Sequence, residues 1–374
     1  MASTPQRPNG LAYKDAGVDY SKIDPLKIAA QRAARATGGN LAHSGFTEIA
    51  ASRGESAYVV DAGDFLLASI TECLGTKVLI ADATRGLTGR TYFDALAQDT
   101  LAMAINDIIT VGATPISVQA YWAAGSSEWF DDAPRAQDLV NGWKAACDRC
   151  GVSWGGGETP SLGGVVEAGT IDLAASCIGI VRPKERSTLV NRLKVGDAIV
   201  LLASSGIHAN GVSLARKLAQ QLPEGYGTAI GDDRLYGDAL LDPTVLYSPV
   251  TEALFAAGIQ PHYIANITGH GWRKIMRHET PFTYRFRHIP PVPPGLAFIQ
   301  DQAGMGDVEA YGTFNMGAGF ALFVAPRDAA KTIEVAKAAG VEAWNAGVVE
   351  AGPKQVIIEP IGVTYTADDM HLRA

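Results

Sequence analysis

The feature of this chain that most constrains its fold is a restart. Short apolar runs alternate with helical stretches up to Val181, the polar, proline-containing segment Arg182-Pro-Lys-Glu-Arg-Ser187 interrupts them, and the alternation then begins again. Before the break the pattern predicts strands at Tyr58–Asp61 and Phe65–Glu72 joined by a tight turn at Ala62-Gly63-Asp64. A strand at Lys77–Asp82 follows, then a helix over Asp94–Val111, where Leu96, Leu101, Ile105 and Ile108 recur at helical spacing. A strand at Ile116–Trp122, a helix from Pro134 to Cys150 and strands at Val152–Trp154 and Ile171–Val181 complete this half. After the break come a strand (197–204), helices (211–221 and 243–257), a strand (261–267), a short helix (272–277), a strand (318–325), a helix (327–339) and strands at 342–349 and 355–359. A chain of 374 residues is too long for one ordinary core. The expectation is therefore an α/β (α+β) protein of two domains, 1–183 and 184–374.

Charge narrows the function classes. The chain has 31 basic against 39 acidic side chains, a net charge of -8 that opposes a general phosphate-backbone role, so no nucleic-acid partner is expected. The longest apolar runs fall short of a membrane span and the N-terminus lacks an apolar signal core, which predicts a cytoplasmic protein with no membrane partner. Cys147 and Cys150 form a C-x-x-C, but on a helical pattern and without a second ligand pair, so they are read as packing residues.

Four stretches carry chemistry. Ser204-Ser-Gly-Ile-His-Ala-Asn-Gly211 lies between a strand and a helix, where backbone N–H groups and the helix dipole favour anions; a capped turn with no ligand fits the same residues. Thr71-Glu-Cys-Leu-Gly-Thr-Lys77 sets a carboxylate and an ammonium around a glycine, groups that suit Mg²⁺ and phosphate, although by itself the stretch reads more readily as a strand-end acid with a solvated lysine. On the helix, at about 100° per residue, Asp99 and Asn106 fall within about 20° of each other and Asp107 about 80° further round. These are oxygen ligands suited to a hard cation. Finally, Gly151-Val-Ser-Trp-Gly-Gly-Gly-Glu-Thr-Pro160 offers a glycine-rich loop able to wrap an anion, though no Gly-Lys-Ser/Thr makes it a P-loop; a bare turn is the alternative.

Taken in order, Tyr13-Lys-Asp-Ala-Gly-Val-Asp19, Gly75-Thr-Lys77, Asn106-Asp107, Gly156-Gly-Glu-Thr159, Gly196-Asp197, Ser204–Gly211, Ile267-Thr-Gly269 and Thr313-Phe-Asn-Met-Gly317 resemble the aminoimidazole ribonucleotide (AIR) synthetase family, from about residue 11 to 350. The resemblance implies an N-terminal domain that dimerises through its sheet into a homodimer, with a C-terminal α/β domain packed alongside. It also implies an ATP- and Mg²⁺-dependent cyclo-ligase acting on a small phosphorylated substrate, formylglycinamidine ribonucleotide, through an activated amide oxygen. Glu72, Asp99 and Asp107 would hold the metal, with Asp107, Glu72 and Asn266 at the chemistry. Lys14, Asp15, Lys77, Asn106, Gly155, Gly156, Gly157, Glu158 and Thr159 would contact nucleotide. Ser205, His208, Asn210, Gly211, Thr268 and Gly269 would contact substrate.

The chain departs from that family at Glu72, where an aspartate is usual, and at Cys73, where a glycine is usual. It has Phe93 and Asn266 in place of histidines and His270 in place of a glycine. Asparagine cannot exchange a proton as histidine does, while His270 is a candidate to substitute. Two other readings stay open: a paralogue acting on another amide or carboxylate, and a non-catalytic nucleotide-binding dimer.

Overall fold

The computed structural model describes residues 20–231 and 234–369. In the first half a helix, α1 (Tyr20–Ala36), precedes the strands β1 (Thr47–Glu48), β2 (Tyr58–Asp61) and β3 (Leu66–Cys73). Helices α2 (Lys77–Thr88) and α3 (Phe93–Ile108) follow, then β4 (Thr114–Ala124), α4 (Ala133–Cys150), β5 (Ser153–Glu158) and β6 (Ile171–Val181). The six strands form one sheet in the order β1-β2-β3-β6-β4-β5, antiparallel except for β4 with β5. The β2–β3 turn is as the sequence predicts: Gly63 has φ +91° and its N–H donates to the Asp61 carboxylate at 2.9 Å.

Residues Lys77–Asp82 are helical, not a strand. The buried positions of α2 include Lys77, Ile80, Ala81 and Thr84, at i, i+3, i+4 and i+7, a helical face that the lysine disguises as a break in an apolar alternation. Residues Gly155–Gly157 are not a loop either, since they continue β5 along β4. A Cβ on Gly157 would lie 2.0 Å from the Ala120 carbonyl oxygen, and one on Gly155 would lie 2.4 Å from the Gln119 amide.

The second half contains β7 (Ala198–Ala203), α5 (Val212–Ala219), a small ribbon of β8 (Ala229–Ile230) and β9 (Arg234–Leu235), α6 (Tyr236–Leu240), α7 (Ser248–Ala256), β10 (Tyr263–Asn266), β11 (Thr283–Phe286), α8 (Pro294–Gln302), α9 (Asp307–Thr313), β12 (Ala318–Val324), α10 (Ala329–Ala338), β13 (Ala343–Glu350), β14 (Gln355–Ile358) and β15 (Val363–Thr366). Its seven-stranded sheet runs β10-β12-β7-β13-β11-β14-β15. Every residue of β12 is buried, and β7 is buried except at its last residue, as befits central strands covered on both faces.

The halves are welded along α3. Gln98 donates to the Thr244 carbonyl, Asp99 accepts from the Thr244 N–H and hydroxyl, and Asn106 both donates to the Val245 carbonyl and accepts from the Tyr247 N–H. The first sheet presents its other face outward: along β3, Ser69 and Thr71 are exposed where Leu66 and Ala68 are buried, and Ile116, Tyr121 and Ile178 are exposed on neighbouring strands. Within one chain these strands are therefore covered on one face only. Among the described residues no helix is long and apolar enough to cross a membrane.

Candidate functional site

Three segments converge where α3 ends. Glu72 closes β3 on the face covered by α3, Asp107 sits in the last turn of that helix, and Asn266 ends β10 of the other half. Asn266 donates its side-chain amide to Asp107 Oδ1 at 2.7 Å. Beyond β10 the chain turns through Thr268 and Gly269 into a 3₁₀ segment, Gly271–Arg277, which brings the Lys274 ammonium onto the Thr268 hydroxyl. Asp107, Asn266 and Lys274 are all buried.

The electrostatics of this cluster are unusual. Burial, reinforced by the Asp107 charge, pushes the Glu72 carboxyl up to about 7. Burial pulls Lys274 down to about 8, although Asp107 and Glu72 favour its charge. His270, at φ +70°, is held down to about 4 by burial and by Arg273 and Lys274, so it is a neutral imidazole at pH 7. It brings no positive charge to this site.

The three-carboxylate metal set expected from sequence is not assembled. Asp99 precedes Asp107 by eight residues, about 12 Å along a helix, and its carboxylate lies 2.6 Å from Lys77 while also holding Thr244. Among the described residues no three His, Cys, Asp or Glu side chains come together as a metal-binding group. Glu72 lies near enough to Asp107 for that charge to raise its carboxyl, and such repulsion is the kind that Mg²⁺ relieves when held by one or two carboxylates plus phosphate oxygens. The residues present fit that ion.

Other expected site residues have internal roles. Lys77, fully buried, pairs with Asp99 and donates to the carbonyls of His208 (2.8 Å) and Asp242 (3.3 Å), so it is part of the weld, not an exposed phosphate contact. Asn106 spends its amide on the backbone at residues 245 and 247. Phe93 is a core residue in edge contact with Trp129.

The 204–211 connection is likewise turned inward. His208 Nε2 accepts the Ser205 N–H at 3.2 Å, Ser205 Oγ donates to the Pro243 carbonyl, Ser204 Oγ donates to Asn315, and Asn210 contacts Met103. Burial, with Lys77 nearby, holds His208 down to about 3, so it adds no charge for a phosphate. Gly211, at φ +84°, caps α5, and a Cβ there would lie 2.2 Å from the Phe314 ring. These hydrogen bonds fix the turn from within, and none of them is a side-chain cap of α5.

Strand register connects the cluster to the glycine strand. Glu72 pairs with Ala175, Ala175 with Ala120 and Ala120 with Gly157, one row across four strands. At the usual strand spacing Gly157 is roughly 14 Å from Glu72. Glu158 is one residue out of that row, pairs with Tyr121 and is exposed. Thr159 follows, also exposed. Lys14 and Asp15 lie outside the described residues. Cys147 and Cys150 are free thiols raised by burial to about 11 and about 12, as packing residues would be.

Lys274 is the site residue that sequence reasoning missed. Its only local signal is the placement five residues after the Ile267-Thr-Gly269 turn that closes on it.

The chain matches two families along its length: "AIR synthase related protein, N-terminal domain" over residues 54–181 and "AIR synthase related protein, C-terminal domain" over residues 194–275 and 288–359. It is 34% identical to a phosphoribosylformylglycinamidine cyclo-ligase of Myxococcus xanthus, across 94% of this chain and 100% of that protein. To one of Methanococcus maripaludis it is 31% identical, across 91% and 92%. Among solved structures, AaThiL in complex with AMPPCP and TMP shares the fold, with a TM-score of 0.55 at 15% identity over 84% of this chain and 90% of that one.

Proposed function

Because the chain belongs to the AIR synthase related family, we propose that it is an ATP-dependent cyclo-ligase of purine biosynthesis, working in the cytoplasm as a homodimer. Its reaction converts formylglycinamidine ribonucleotide to aminoimidazole ribonucleotide. The observation that carries the reading is the meeting of Glu72 and Asp107 with Asn266, Thr268 and Lys274 at the junction of the halves, in a chain aligned with named cyclo-ligases over nearly its full length.

The substrate's amide oxygen attacks the γ-phosphorus of ATP and ADP leaves. A substrate nitrogen then closes the ring on the activated carbon, the C–O bond to phosphate breaks and that nitrogen's proton is lost. Such chemistry depends on positioning and on neutralising the transferring phosphoryl group. Glu72 and Asp107 would hold Mg²⁺, which supplies that neutralisation when bound. Asn266 keeps Asp107 oriented, and Thr268 and Gly269 border the reacting end. Gly155, Gly156, Gly157, Glu158 and Thr159 would form the far wall for the nucleotide, with Gly157 in the same sheet row as Glu72 and Lys14 and Asp15 assigned to that wall as well. We place the domain boundary between residues 183 and 184, in the connection separating the two sheets.

The test is a coupled assay of ADP release with formylglycinamidine ribonucleotide as substrate. Release of ADP in step with aminoimidazole ribonucleotide is expected; a folded protein that binds ATP yet releases none would overturn the assignment.

A further inference from the structure

Among the described residues two lysines are buried, and the fold treats them differently. Lys77 meets three acceptors: the Asp99 carboxylate and the carbonyls of His208 and Asp242. Lys274, only 8% exposed, meets one neutral acceptor among the described residues, the Thr268 hydroxyl, and no carboxylate reaches ion-pairing distance. An ammonium has three N–H donors: Lys77 gives two to carbonyls and is ion-paired with a carboxylate, whereas Lys274 has capacity left. Proteins rarely bury a charge without a partner, because the charge gives up its hydration and receives nothing in return.

The surroundings indicate what the partner is. Lys274 stands beside Glu72 and Asp107, close enough to feel both charges, on the turn that begins with Thr268 and Gly269. Those carboxylates would repel a free anion, but a phosphoryl group accompanied by a divalent cation is accommodated when one further positive charge faces its outer oxygens. We propose that Lys274 contacts the substrate directly, its ammonium donating to an oxygen of the transferring phosphoryl group, with the Thr268 hydroxyl fixing its direction. No bond to Lys274 forms or breaks: the P–O bond to ADP is exchanged for the P–O bond to the amide oxygen, and the lysine balances charge on the group that moves. This assignment rests on the cyclo-ligase reading for its reaction and on the lysine's own geometry for its ligand.

Three measurements on the full chain and its Lys274→Met variant test it. In the presence of Mg²⁺, calorimetric affinity for a non-hydrolysable ATP analogue should fall at least about tenfold and kcat about a hundredfold, with Lys274→Arg recovering part of each. Affinity for ribose 5-phosphate should not change, and a loss there instead would assign Lys274 to the sugar phosphate and overturn the proposal. The thermal midpoint of the ligand-free Met variant should hold or rise, because an incompletely paired charge has gone; a purely structural lysine would lower it. If Lys274→Met does not fold, Lys274→Gln reads the same quantities. A folded variant with parental analogue affinity and kcat would sink the inference, as would a parent protein that does not bind the analogue. Should the parent bind the analogue but release no ADP with formylglycinamidine ribonucleotide, the substrate assignment fails and the affinity comparison still decides the role of Lys274.

Discussion

Asn266 and Asp107, 159 positions apart, are joined by a 2.7 Å hydrogen bond that fastens the end of β10 to the last turn of α3. Asp107 Oδ1 thereby accepts one hydrogen bond, and under the proposed function the carboxylate also serves a cation. Asp107→Ala should therefore abolish Mg²⁺-dependent binding of an ATP analogue while leaving the chain folded, since the alanine removes one of two repelling acids. Parallel calorimetric titrations with and without Mg²⁺ check this, and equal affinity in the variant would remove Asp107 from the metal site.

Glu72 gives a pH prediction. Its folded carboxyl titrates at about 7 against an ordinary 4.5, so the folded state keeps a proton that the unfolded chain has already released. The stability linked to this group is complete below about 4.5 and is lost as the pH rises through 7. Glu72→Gln should match the parent at pH 4.5 and exceed it at pH 8 by roughly 1 to 3 kcal/mol. Denaturant unfolding at both values tests the sign; a less stable glutamine variant at pH 8 would mean that the surrounding cations outweigh the desolvation.

Lys77→Met should be severe. It strands Asp99 in the interior with only Thr244 to hold it, a loss of about 3 to 5 kcal/mol. The damage should appear as lowered cooperativity between the halves, seen by calorimetry as a broadened or split transition.

At Gly211 an alanine must adopt φ +84° and also displace the Phe314 ring. The expected cost is about 2 kcal/mol or more in stability. Thermal melts of Gly211→Ala decide between this packing role and the phosphate approach that the sequence also allowed, which would lower substrate affinity at unchanged stability.

The open face of the first sheet predicts assembly. Ile116, Tyr121 and Ile178 form an exposed apolar group on strands whose other face is fully packed. Sedimentation should report twice the chain mass, and Ile178→Lys should shift it toward the monomer. A parent protein that stays monomeric at micromolar concentration would leave that face without its proposed cover.

Much of this architecture is legible in the residues, because local periodicity and packing agree there. Leu96, Leu101, Ile105 and Ile108 trace α3 since its apolar face is its buried face. The reading of α2 fails because a lysine occupies the buried face, and its partner, Asp99, belongs to another helix. Gly155–Gly157 read as a loop because glycine is the ordinary loop residue, whereas the cause here is the backbone of β4 pressing from the next strand. At the site, Asp107 and Asn266 stand at motif positions, the latter with an altered side chain, and the two are hydrogen-bonded across the halves. That Asp99 and Asn106 bind the other half, and that Lys274 is enclosed with donors to spare, depends on contacts made only after the halves dock.

The weld along α3 has a consequence for how ligands come and go. Swinging the halves apart would cut the bonds of Gln98, Asp99, Asn106 and Asp107 together, and water could not easily repay groups so deeply enclosed. Such a junction favours a vice with set jaws over a clamshell. Variants with altered selectivity should then arise from side chains at the rim more readily than from changes at a hinge.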